Sequence, residues 1–181
     1  MAFNVNQFRS QMTGDGARPN LFEVSMPFPT FALPGTAQSK MTFMCKTAQL
    51  PGSTVNTVPV QYFGRELKFA GNRTFQDWTI SVINDEDFVI RNAFERWMNG
   101  MNSHATNVRS PAALTPNGYT VDAGVTQFGK GGNALKKYKF IGVFPTDLSP
   151  IDVDWGSNDT IEEFTVTLSY QWWESAEDNV A

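Results

Sequence analysis

One cysteine and one histidine stand among 181 residues. Cys45 has no partner for an internal disulfide, and with only His104 beside it, zinc centres and Cys/His catalytic pairs are excluded. Positive charge is also scarce: 14 Lys and Arg face 18 Asp and Glu, a net charge of -4. A protein that grips phosphates runs the other way. Charged residues reach only 18% against 41% hydrophobic ones, which excludes wholesale disorder. No apolar run approaches the ~20 residues of a membrane span. Met1 to Met12 lacks the basic region and apolar stretch of a signal peptide. These absences suit a reducing, intracellular setting and no membrane insertion.

Aromatic residues are plentiful instead, with 15 Phe, 5 Trp and 4 Tyr, a composition suited to strands and interfaces. The length fits one domain over residues 1–181, whose folding would bury roughly 20,000 Å². Val5, Phe8 and Met12 form a short helical stripe ending at Gly14 and Gly16. Leu21 to Met26 reads as a strand, and the alternating Met41, Phe43 and Cys45 as its hairpin partner across the Pro27 to Ala37 loop. Ser53 to Val60 and Gln61 to Ala70 are extended, and Pro59 argues for an edge or a protruding hairpin. Trp78, Ile80 and Val82 alternate as a strand. Ile90, Phe94, Trp97 and Met101 then share one helical face, with Asn84 as the expected N-cap. Residues 101–133, rich in Gly, Asn, Thr and Ser, read as a surface excursion with one strand candidate, Tyr119 to Gln127. Tyr138 to Phe144 and Phe164 to Trp172 alternate as strands. Strands dominate without a βαβ rhythm, so the expected fold is mainly β: an antiparallel β-sandwich or barrel with one flanking α-helix.

Several motifs tempt and fall short. Gly124 to Lys130 matches seven positions of a phosphate-binding loop, but Gly131 replaces the Ser or Thr that would hold Mg²⁺. Asp152, Asp154 and Glu163 have calcium-loop spacing, yet Ser157 replaces the glycine of the turn. Asp85, Glu86 and Asp87 are expected in a first helical turn, where the dipole favours acid. His104 reads as a solvated loop residue and Cys45 as a small core residue. No catalytic, cofactor or metal site assembles, so an enzyme is not expected.

Longer ordered blocks carry more than composition does. Ala17-Arg18-Pro19-Asn20-Leu21-Phe22 and Gly71-Asn72-Arg73-Thr74-Phe75, continuing through Asp77-Trp78-Thr79 to Asn84-Asp85, resemble the tail tube proteins of contractile-tailed bacteriophages. So do Phe144-Pro145-Thr146, Asp154-Trp155, Ser157-Asn158, Ile161, Glu163-Phe164 and Val166-Thr167-Leu168. The resemblance spans about residues 17–98 and 135–174. It implies a structural virion protein whose hexameric rings stack into the inner tail tube, the conduit for DNA ejection. It also implies tail sheath, baseplate and tape-measure partners, assembly in the host cytoplasm, and double-stranded DNA passing without specific binding. The competing class is a carbohydrate-binding β-sandwich using Trp155, Trp172 or Trp173.

Two sets of residues follow as expected sites. Tyr62, Phe63, Arg65, Leu67 and Phe69, with Val5 and Phe8 of the amino-terminal stripe, are expected at subunit interfaces. Glu66, Asp77, Glu162 and Glu163 are the expected acidic residues of the lumen. The segment from Ser175 to Ala181 is a polar tail.

Overall fold

The computed structural model describes residues 4–13 and 16–175. The expected stop at Gly14 and the polar tail beyond Ser175 lie outside the described residues. The strongest alternating segment builds the centre of the fold. In β8 (Glu163–Ser169), Phe164, Val166 and Leu168 are buried while the residues between them face outward. Its antiparallel neighbour β5 (Trp78–Ile83) buries Trp78, Ile80 and Val82 in the same way. On the far side of β5 lies β2 (Cys45–Ala48), and on the far side of β8 lies β7 (Ala134–Leu148).

β7 is shared between two halves of the sheet. From Phe144 onward it pairs with β8, whereas its earlier residues pair with β6 (Val121–Phe128) and with β9 (Trp172–Ser175). β1 (Phe22–Ser25) closes the order β1-β6-β7-β8-β5-β2. Gly142, at φ +68°, marks the change of partner; a side chain there would meet Gln171 Cγ at 2.9 Å in a backbone region that favours glycine. The two halves enclose one core, in which the Trp78 and Phe140 rings stack at 4.2 Å.

The helix α3 (Val89–Met101) covers this core with Ile90, Ala93, Phe94 and Trp97. Phe28 sets its ring edge-on against Phe94 and Trp97, at 5.1 and 5.8 Å. Trp97 Nε1 donates to the Tyr119 carbonyl at 2.7 Å, so this large side chain is buried without an orphaned polar atom.

Several expectations change. The Pro27 to Ala37 stretch, expected as a plain connecting loop, turns inward and buries Phe28, Ala32 and Ala37. Residues Ala37–Met44 form a helix, α2, so Met41 is core while Phe43 is exposed; a period of two and a helical turn both fit so short a run. β1 and β2 consequently are not a hairpin: each pairs elsewhere. The 101–133 segment contains an interior strand, β6, whose Ala123 and Val125 are buried, so the excursion shrinks to the residues before it and the turn after it. The last alternating run breaks after Ser169, and β9 crosses to the other half of the sheet. Asn84 is not the N-cap either. Phe88 occupies that position at φ +52°, and Asp87 Oδ1 accepts from Val89 N at 3.2 Å. Asp85 and Asp87 lie ahead of the helix and hold Lys40, with Lys40 Nζ 2.6 Å from Asp85 Oδ2. That ion pair raises the Lys40 ammonium above its ordinary value and lowers the Asp87 carboxyl.

Candidate assembly surfaces

Between β2 and β5 the chain leaves the sandwich as a ribbon. β3 (Ser53–Tyr62) and β4 (Arg65–Phe75) pair only with each other, with a register shift between Val55 and Thr57. In the distal half Val58 faces Phe69, Val60 faces Leu67 and Tyr62 faces Arg65, which places these six side chains on one face. Pro59, Gln61, Glu66 and Lys68 occupy the other face. Every residue of β3 is exposed, and so is all of the distal half of β4. The ribbon is therefore amphipathic, with nothing beneath its apolar face among the described residues. A two-stranded hairpin gains little stability alone, so this face calls for a partner. Sequence reasoning named Tyr62, Phe63, Arg65, Leu67 and Phe69 but missed Val58 and Val60, whose period-two spacing with Tyr62 was the available signal.

The turn breaks a local rule. Phe63 at φ +44° and Gly64 at φ +80° form its two central positions, where Asn-Gly is preferred. A bulky residue there is an outlier. Phe63 is 91% exposed, and its ring meets the Tyr62 ring edge-on at 4.6 Å. At the other end of the chain α1 (Val5–Gln11) is capped by Asn4, whose Oδ1 accepts from Asn6 N at 3.0 Å. It buries no residue, and Val5 and Phe8 stand in solvent.

The outward face of β2, β5, β8 and the end of β7 is of another kind. Thr47, Ser81 and Thr165 form one cross-strand row, and Thr79, Thr167 and Asp147 another. Glu163 lies opposite Ile83 at one edge, paired with Lys46 at 2.6 Å. Asp77 precedes Trp78 at the other end of β5. The four expected acidic residues are thus not brought together. Glu163 lies on this face and Asp77 at its margin. Glu162 hydrogen-bonds Asn84 Nδ2 at 2.9 Å, and Glu66 sits on the distant ribbon near Gln61 and Lys68. Asp147 was missed, because a single acid near the end of a strand carries no periodic signal.

The tryptophans of the competing reading are dispersed. Trp173 packs edge-on against Tyr138 and donates from Nε1 to the Gly52 carbonyl at 3.1 Å. Trp172 donates to Glu174, and Trp155 stands alone on the 149–162 loop, fully exposed. The stretch Gly124 to Lys130 runs through β6 into a turn, so no phosphate loop exists there. No group of metal-ligating side chains gathers among the described residues. Cys45 is buried, and burial pushes its thiol up to about 12.

The fold is an antiparallel sandwich that carries an exposed amphipathic ribbon, the form of a subunit with a surface to share. The phage tail tube protein family matches residues 17–176, and the chain belongs to that family. It is 34% identical over 170 residues to the tail tube protein gp19 of Enterobacteria phage T4, covering 92% of this chain and 96% of that one. Among solved structures it resembles a chain of the tube-terminating cap of the anti-feeding prophage (TM-score 0.61, 17% identity, 88% and 90% covered). It also resembles one from the sheath–tube complex of an extracellular contractile injection system (TM-score 0.55, 16% identity, 96% and 98% covered). The protein is a structural component of the virion, a tail tube protein of a contractile phage tail, and not an enzyme.

Proposed function

We infer that six copies close into a ring, that rings stack into a tube, and that the tube is the conduit for DNA ejected into the host. The observation that carries this reading is the β3–β4 ribbon, an apolar face with no partner in its own protomer, in a chain of the tail tube family. The ribbon lies on a neighbouring subunit, with Val58, Val60, Tyr62, Leu67 and Phe69 as anchors and Arg65 setting register. α1 docks Val5 and Phe8 in the same manner. Sheath and baseplate proteins contact the outside, and a tape-measure protein fills the bore before ejection.

The four-stranded half-sheet β2-β5-β8-β7 supplies the wall. Its outer edge strand, β2, has no neighbour beyond it among the described residues, so a second copy can continue the sheet. Four strands from each of six copies give ~24 strands; at ~4.8 Å spacing and ~40° tilt the backbone diameter is about 48 Å. Side chains leave roughly 38 Å, enough for a duplex about 20 Å across. The hydroxyl rows and Asp147 and Glu163 then face the DNA, with the cation of Lys46 already paired to Glu163. Such a wall offers phosphates no grip.

The test is assembly itself. Concentrated wild-type protein forms rings or tubes by negative-stain microscopy and sedimentation, whereas the double variant Tyr62→Ser/Phe63→Ser stays a folded monomer. A wild-type monomer at every concentration, or normal tubes from the double variant, refutes the reading.

A further inference from the structure

Charge is segregated along the longest strand. Residues 124–146 contain four lysines (Lys130, Lys136, Lys137 and Lys139) and no acid. Residues 147–163 contain six acids and no base. The lysines sit at the beginning of β7, where Asp122 holds Lys139 at 2.8 Å, and in the turn before it; the acids begin with Asp147 near the other end of the strand and continue beyond it. Lys139 and Asp147 stand eight residues apart in β7, on the order of 27 Å along the strand.

The acidic segment is a built projection and not a slack connection. Its roots are fixed: Ser149 N donates to the Thr165 carbonyl, Arg91 Nη1 to the Ser149 carbonyl at 2.7 Å, and Asn84 N to the Glu162 carbonyl at 2.8 Å. Its tip carries apolar groups that face solvent, with Trp155 wholly exposed and Val153 largely so. Between root and tip the loop encloses a hollow of about 390 Å³ lined by Asp152, Asp154, Glu162 and Glu163 among others. Glu163 holds Lys46, Glu162 accepts from Asn84 Nδ2 and Asp154 accepts from Gly156 N at 3.1 Å, which leaves Asp152 and the second oxygen of Asp154 to face a partner.

We propose that the 149–162 loop of one copy seats the lysine-bearing end of β7 of a second copy in the next ring. Trp155 and Val153 cover apolar surface on that copy, and Lys130 and Lys137, both exposed, reach the carboxylates of the hollow. Acidic and basic patches at opposite ends of one strand make a head-to-tail contact. Such a contact does not close on itself but continues from ring to ring. Complementary charge sets its register and steers its association. The inference rests on the tube reading above and identifies which surfaces stack.

A charge exchange tests it, using the full chain and following rings and tubes separately by sedimentation and negative stain. Asp152→Lys/Asp154→Lys should raise the concentration needed for tubes at least tenfold at low salt while hexameric rings persist. Lys130→Glu/Lys137→Glu should do the same, and combining all four changes should restore stacking. Raising salt from 50 to 500 mM should weaken wild-type stacking and narrow these differences, since screening is stronger at short Debye length. Wild-type rings and tubes with acid-loop variants that stack equally well would overturn the inference alone, as would a fourfold variant no better than either double one. Failure of the wild-type chain to form rings or tubes would overturn the tube reading and the inference with it.

Discussion

Replacing Phe63 by Asn separates what the hairpin turn costs its own protomer from what it contributes to a neighbour. Phe63 adopts φ +44°, a region that costs an ordinary L-residue roughly 1–2 kcal/mol and that Asn tolerates well. The variant gains part of that strain back and loses the edge-on contact with Tyr62, worth about 0.5–1.5 kcal/mol. The two terms nearly cancel, so the monomer should change by no more than about 1 kcal/mol in stability, in either direction. Urea unfolding below the assembly threshold, followed by tryptophan fluorescence, measures this. Assembly should weaken clearly. Phe63 is 91% exposed, and covering a phenylalanine side chain is worth about 1.5–3 kcal/mol. Losing ~2 kcal/mol per added subunit raises the threshold concentration about 30-fold. Sedimentation of a concentration series reads that shift. A destabilised monomer that still assembles at the wild-type threshold would refute the reasoning, because Phe63 would then be serving its own fold.

Three further outcomes are expected. Gly100→Ala should cost about 1–3 kcal/mol despite the better helix propensity of Ala, because the new Cβ would lie 2.4 Å from Phe31 Cε2; thermal or urea unfolding checks it. Burial pushes the Cys45 thiol up to about 12, so the folded state keeps a proton that the unfolded chain releases near 9. That stabilising difference is fully present below pH ~9 and is lost as pH rises toward 12, so between pH 8.5 and 10 the wild type should lose about 1 kcal/mol more than Cys45→Ala. Purified open tubes should not retain duplex DNA at low salt; tight retention that weakens steeply with added salt would show a basic lumen.

Periodicity was informative wherever one face of an element meets the core. Trp78, Ile80 and Val82, the Phe164 to Leu168 run and the Ile90 to Trp97 stripe all bury the residues their spacing selects. Pro59 foretold the separate ribbon because it can donate no ladder bond. Reading failed where composition and tertiary context disagree. Tyr119 to Gln127 was legible as a strand, but its place in the core was not: the surrounding Gly, Asn, Thr and Ser suggest a surface excursion, yet its flanking strands bury Ala123 and Val125. Residues 41–45 fit either period, and only contact with β1 and α3 makes 37–44 a helix. The candidate surfaces were legible in part: exposed aromatics on the ribbon were anticipated, whereas the rows of Thr and Ser across β2, β5 and β8 become a single face only once pairing aligns them. The segregation of Lys and Asp along β7 is visible in the chain order but acquires a direction only from the strand that separates them.

β7 also has a mechanical consequence. One unbroken strand is bonded laterally to β6, β8 and β9, in both halves of the sandwich. Tension applied along it loads all those ladders in shear at once, so they must yield together, where a hairpin peeled from its end would give way one bond at a time. Thrust delivered at the acidic end of the protomer therefore passes to the lysine end along a strand that is bonded into both half-sheets. A tube of such units would bear an axial load without its two half-sheets sliding past one another.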